Sequence, residues 1–160
     1  MFNCRILFAA ATIAALSGCA THSTPLSVAD TIAAEPQLST LNRLVVKAGL
    51  TDTLKGAGPF TIFAPSNEAF SKVAAKTMDE LGNNPAELKA VLSYHVVPGK
   101  FMAADVKNGT IKTVNGANVA LSKAGEFVTI EEALVQTADI SATNGVVHVI
   151  DSVLIPPAKH

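Results

Sequence analysis

Apolar positions in the first half of the chain recur at helical spacing. Val28 to Ala34 reads as a short amphipathic turn or two, stopped near Pro36. Leu38, Leu41, Leu44, Val45 and Ala48 share one helical face, and Gly49 stands where a C-terminal cap belongs. Leu50 to Leu54 predicts one more turn before Gly56 and Gly58. Phe60 to Ala64 is a short apolar strand ended by Pro65. Ser66 or Asn67 then caps a helix carrying Ala69, Phe70 and Val73, with Glu68 as negative charge in its first turn. Thr77 and Glu80 have the spacing of a capping box. Asn84 followed by Pro85 opens another helix through Leu88, Val91 and Leu92.

Past that helix the texture becomes that of strands. His95 to Val97 reads as extended, with Tyr94 and Val96 on one face and His95 and Val97 on the other, and is broken by Pro98-Gly99. Asn108-Gly109, Asn115-Gly116 and Asn144-Gly145 predict tight turns, because Asn and Gly suit the positive φ that short hairpins need. Asn115-Gly116, between TIKTV and ANVAL, is the strongest of them. Further strands are expected at Phe127 to Ile130, Leu134 to Thr137, Val146 to Ile150 and Val153 to Ile155. Helices first and antiparallel strands second predict an α+β domain.

The N-terminus carries a different pattern. Arg5 and the α-amino group precede the uncharged run Ile6 to Leu16, ILFAAATIAAL. Eleven residues fall well short of the roughly twenty that span a bilayer as a helix, so the run reads as the core of a signal peptide. Leu16-Ser17-Gly18-Cys19 closes it and resembles the lipobox of bacterial lipoproteins. Small residues let the extended chain enter a peptidase cleft, and the Cys19 thiol is a nucleophile that a diacylglycerol donor can alkylate. The expected organisation is a cleaved signal peptide at 1–18, a lipidated Cys19 and tether at 19–26, a domain at 27–157 and a tail at 158–160. Cys4 leaves with the signal peptide, so the mature chain is expected to hold no disulfide despite an oxidising destination.

Removal of eighteen residues from 160 leaves a normal single-domain length, enough to bury a core. Eleven basic residues then face thirteen acidic ones, spread without a basic cluster, which argues against nucleic acid as a partner. No GxSxG, HExxH, CxxC or P-loop pattern is present. No catalytic set, metal site or cofactor is therefore expected.

Three long segments carry a family resemblance. Gly58-Pro59-Phe60-Thr61-Ile62-Phe63-Ala64-Pro65-Ser66-Asn67-Glu68-Ala69-Phe70 resembles the first signature of the fasciclin domain, with Ser66 in place of the usual threonine. Tyr94-His95-Val96-Val97-Pro98-Gly99 resembles its central segment. Asn144-Gly145-Val146-Val147-His148-Val149-Ile150-Asp151-Ser152-Val153-Leu154-Ile155-Pro156 resembles its closing signature. The resemblance implies a wedge-shaped β-sandwich of about seven strands, with N-terminal and flanking α-helices. It also implies a binding role in adhesion to cells, matrix or surfaces, with no reaction catalysed. Partners would be the lipid bilayer, through acylated Cys19, and a protein or glycan ligand. The expected place is the cell envelope, at the outer membrane or its periplasmic face.

Tyr94 and His95 are the candidate binding residues, since the matching segment of some animal relatives is linked to integrin recognition. The sequence favours the alternative, in which both are core residues whose polar tips find hydrogen bonds. His148 lies between valines and reads as a satisfied core histidine. Asp151 is expected to organise the turn before Val153. Glu131 and Glu132, if in a strand, would point to opposite faces, poor geometry for acid–base work. A small-molecule-binding protein or enzyme built on His95 and His148 remains as a rival reading, and requires the two rings to converge on a cavity with a carboxylate. A structural envelope protein is the third reading.

Overall fold

The computed structural model describes residues 26–157. The predicted signal peptide, Cys19, most of the tether and the tail lie outside the described residues.

Six short helices and one 3-10 turn precede or interrupt a seven-stranded sheet. Helix α1 (Val28–Ala34) is capped by Ser27, whose hydroxyl accepts from the Asp30 N–H at 3.2 Å. A 3-10 turn at Pro36–Leu38 leads into α2 (Ser39–Lys47). Gly49, at φ +67°, closes α2 with the Leu50 N–H donating to the Val45 carbonyl at 3.1 Å, the Schellman pattern. Then come α3 (Thr51–Lys55), β1 (Phe60–Pro65), α4 (Asn67–Lys72), α5 (Ala75–Asn83) and α6 (Pro85–Tyr94). Ser66 caps α4 through the Ala69 N–H, and Asn84 caps α6 through the Glu87 N–H with Pro85 at its first position. Thr77 and Glu80 form no capping box, because α5 starts two residues before Thr77 with Ala74 at its cap position.

The remaining strands are β2 (Val96–Pro98), β3 (Gly109–Lys112), β4 (Asn118–Ala124), β5 (Phe127–Ile130), β6 (Ala133–Ala142) and β7 (Gly145–Ile150). Their order is β2-β1-β7-β6-β5-β4-β3. β1 and β7 run parallel and every other pair is antiparallel. The split of helices first and strands second is thus incomplete: β1, framed by helices in sequence, lies inside the sheet between β2 and the last strand, β7. Register shifts in β6 between Val135 and Ile140, with Asp139 at φ +60°, bend the sheet. The bend brings its two ends together, and the Val114 N–H donates to the Val96 carbonyl at 2.8 Å. The result is a sandwich that almost closes into a barrel.

This geometry creates two cores. Ile62 and Ala64 of β1 and Val147 and Val149 of β7 face the helices, against Ile32, Leu41, Leu54, Leu88 and Leu92. Phe63 and Ile150 face the other way, into a second core with Val97, Val119, Leu121, Val128 and Ile130 between the two halves of the sheet. Covered on both faces, β7 is buried at every position without alternation.

Several local expectations change. Tyr94 ends α6 and His95 is its C-cap in αR geometry, so neither lies in a strand. Asn108-Gly109 is no hairpin turn; the Asn108 Oδ1 accepts from the Lys123 N–H at 2.6 Å just before β3. Glu131 and Glu132 form the two-residue turn between β5 and β6, with Glu131 at φ +52°. Val153 to Ile155 pairs with no strand and crosses the body as an extended strap.

Candidate functional site

Tyr94 and His95 lie together where the end of α6, β2 and the C-terminal strap meet, whereas His148 sits on β7 among other partners and lines no cavity with His95 among the described residues. As α6 runs out, the His95 N–H still donates to the carbonyls of Val91 and Leu92. Its ring turns inward and is 1 % exposed. The Nδ1 lies 2.8 Å from the Val91 carbonyl oxygen, which can only accept, so Nδ1 carries the proton. The Nε2 then accepts from the Leu154 N–H at 3.0 Å. Burial pushes the His95 pKa down to about 4, opposed by the Val91 carbonyl.

His148, on β7, is 2 % exposed and stacks on Phe63 with ring centroids 5.6 Å apart. It holds the opposite tautomer. Its Nε2 donates to the Phe101 carbonyl at 2.7 Å, and its Nδ1 accepts from the Asp139 N–H at 3.1 Å. Burial lowers its pKa too, against the Phe101 carbonyl and the Asp139 charge. Both nitrogens of both rings are thus committed to the main chain. A ring in that state has no lone pair for a metal and no proton to exchange with a substrate.

Tyr94 is 3 % exposed, and its hydroxyl donates to the Asn118 carbonyl at 3.3 Å. Burial raises the phenol pKa, with a further push from the Glu131 carboxylate. Glu131 itself accepts from the Ala120 N–H at 2.8 Å. Asp151 takes the Leu134 N–H on Oδ1 at 2.9 Å, which pins the start of β6 to the end of β7 and holds its carboxyl below the usual carboxylate range. Asn67 does not cap α4. Its Oδ1 accepts from the Thr40 N–H and its Nδ2 donates to the Pro36 carbonyl, tying α4 to the start of α2.

Asn144, which the sequence marks as a turn residue at the head of the closing motif, has a larger role. The Asn144 Nδ2 donates to the carbonyls of Leu54 and Gly56 at 2.6 and 2.8 Å, while its Oδ1 accepts from the Val28 N–H at 2.8 Å. A turn dipeptide does not reveal such long-range bonds. The only signal available was its place in a long motif.

Two open grooves flank the strap. One, of about 490 Å³, lies between α5, α6 and the strap, with Leu81, Val91 and Ile155 against Glu80 and Glu87. The other, of about 620 Å³, runs past Tyr94, Asn118, Glu131 and Leu154. Ile155 is 60 % exposed between them. Among the described residues no three His, Cys, Asp or Glu side chains gather as a metal set, and no helix is long and apolar enough to cross a membrane.

A two-core sandwich of this topology, with its closing β7 signature beside β1, can be compared with known proteins. The sequence profile of the Fasciclin domain matches residues 36–156. The chain belongs to the fasciclin-domain family. Protein sll1483 of Synechocystis sp. is 39 % identical over 146 residues, which cover 90 % of this chain and 81 % of that protein. The cell surface glycolipoprotein MPB83 of Mycobacterium bovis is 35 % identical over 137 residues, covering 82 % of this chain but only 61 % of the relative. Among solved structures, the FAS1 domain pair of the insect cell adhesion molecule fasciclin I superposes with a TM-score of 0.65 at 18 % identity. That match covers 82 % of this chain and 51 % of the pair, and it identifies the fold. Helix α1 starts before the profile match, yet the fasciclin core includes its Val28 and Ile32.

Proposed function

We propose that this fasciclin domain is a lipid-anchored binding module of the cell envelope, serving adhesion or surface association without catalysis. The observation that carries the reading is the chemistry of the two histidines. Both rings are buried, and both nitrogens of each are engaged by main-chain groups. What is left for a partner is surface shape and apolar area at the strap. The family supports the same direction, since one relative is a cell surface glycolipoprotein and the fold is shared with a cell adhesion molecule. The anchor rests on Leu16-Ser17-Gly18-Cys19. One acyl chain holds a protein only marginally, and a multiply acylated Cys19 would supply a stable attachment without a basic patch. Ala20 after the cysteine, in place of Asp, favours outer-membrane sorting in Gram-negative cells.

Two measurements test this. Cells fed a fatty-acid analogue should label the wild-type protein and not Cys19→Ala; equal labelling removes the anchor. Soluble Ala20–His160, used as bait against envelope extracts and matrix proteins or glycans, should retain a partner above a tag-only control. Retention of nothing counts against adhesion.

A further inference from the structure

We infer that the C-terminal strap, residues 152–157, is an acid-released cover latched to the body by the His95 ring. Past Ser152, the bond from the Leu154 N–H to the His95 Nε2 is the only hydrogen bond from the strap to the body among the described residues. Leu154 is buried at this point, packed in the second core with Tyr94, while the next residue, Ile155, is exposed. One ring therefore joins α6, through Val91, to the strap, through Leu154.

The latch depends on a neutral imidazole. With Nδ1–H committed to the Val91 carbonyl, a second proton can go only to Nε2. That proton would point at the Leu154 N–H, replacing an attraction between donor and acceptor by a repulsion between two donors. No neighbour compensates the new charge. Ile32 of α1, Leu41 of α2, Leu54 of α3, Ile62 of β1, Leu92 of α6 and Val96 of β2 line the cavity beside the ring, and none is titratable. Around the strap, the Tyr94 hydroxyl is committed to Asn118, Asp151 to Leu134 and Lys72, and Glu131 to the Ala120 N–H, while Glu132 is exposed along the groove that Leu154 lines.

The strap is also the part that can give way. The helices and β1 around the ring are joined by the first core, and moving them means unfolding the domain. Lifting the strap costs one hydrogen bond, the burial of Leu154 and the partial burial of Val153 against the first core. Once it lifts, the protonated ring meets water. The two grooves, which share Ile155 and Pro157, then become one continuous face. The inference is independent of adhesion and of lipidation.

Hydrogen exchange on the full-length chain in detergent micelles, corrected for intrinsic rates, tests it. With the ring at about 4 when latched and at its ordinary value when free, the opening equilibrium of the Leu154 amide should rise about twentyfold between pH 7 and pH 5. The Val147 and Val149 amides of β7 should stay far better protected at both values. His95→Gln, which cannot titrate, should leave strap opening independent of pH. Should that variant fail to fold, the wild-type ring nitrogens provide the second readout, and their titration should coincide with loss of Leu154 protection. Strap protection that is unchanged at pH 5, or lost only together with that of β7, overturns the latch. So does a ring that protonates while the Leu154 amide remains protected.

Discussion

At the scale of single residues, buried polar side chains hold the fasciclin domain together. Asn144 satisfies two carbonyls at the end of α3 and one N–H at the start of α1. Asn144→Ala leaves three groups without partners, two of which water can reach only by loosening the packing. Its expected cost is about 3 kcal/mol, read as a lower urea midpoint with an unchanged slope. An effect within experimental error would mean that water replaces the side chain freely. The histidines set the acid limit. Both have folded pKa values below the ordinary histidine value, so the unfolded chain binds more protons as pH falls. Their contribution is complete above pH 6.5, the model-peptide value, and declines as pH falls toward the folded value of His95, about 4. For His95 alone the loss amounts to about 3 kcal/mol across that window. Urea melts at pH 7.5 and pH 5 should capture about 2 kcal/mol of that loss, and a flat profile over that range would refute the buried neutral assignment.

Between elements, two glycines separate a local requirement from a long-range one. Gly49 is needed for its φ of +67°, with nothing near its absent side chain. Gly49→Ala should therefore cost only about 1 kcal/mol. Gly145 has the opposite problem: a Cβ there would collide with the Phe60 carbonyl oxygen across the β1–β7 pair. Gly145→Ala must push two interior strands apart, and a loss of about 3 kcal/mol or more is expected. Thermal melts of both variants check the order, and equal costs would contradict the assigned roles. The same contrast explains what could be read from the sequence. Gly49, Ser66, Asn84-Pro85 and the Asn115-Gly116 hairpin were legible because each signal acts within a few residues. The parallel pairing of β1 with β7, the bend of β6 and the bonds of Asn144 join residues far apart, and no local pattern encodes them. Tyr94-His95 was misplaced for a related reason. An apolar run after a helix fits the last helical turn as well as a strand, and the Val91 and Leu92 carbonyls decide in favour of the helix. The burial of the candidate histidines was readable from their valine neighbours, but their partners Leu154, Phe101 and Asp139 were not.

For the whole molecule, the polarity of β7 gives the proposed anchor a direction. The described chain begins at Leu26, whose carbonyl accepts from the Thr143 N–H at 2.8 Å beside the β6–β7 turn. The strap departs from the other end of β7, after Ile150, where Lys72 pairs with Asp151 at 3.6 Å. Six residues of strand separate these ends by about 20 Å. The segment from Ala20 to Leu26 reaches at most about 25 Å when extended. If Cys19 is held at the lipid surface, the Thr143 end spends more time near the headgroups than the Lys72 end. Two single-cysteine variants, Thr143→Cys and Lys72→Cys, labelled with a fluorophore in reconstituted vesicles, compare the ends directly. With Cys19 blocked by the proposed lipid and Cys4 removed with the proposed signal peptide, each variant would carry one reactive thiol. A headgroup-level quencher should quench the Thr143→Cys label more strongly than the Lys72→Cys label, and the difference should vanish in Cys19→Ala protein held free in solution. Equal quenching at both positions on vesicles would mean that the domain tumbles without preference, and stronger quenching of the Lys72→Cys label would place the opposite end against the membrane.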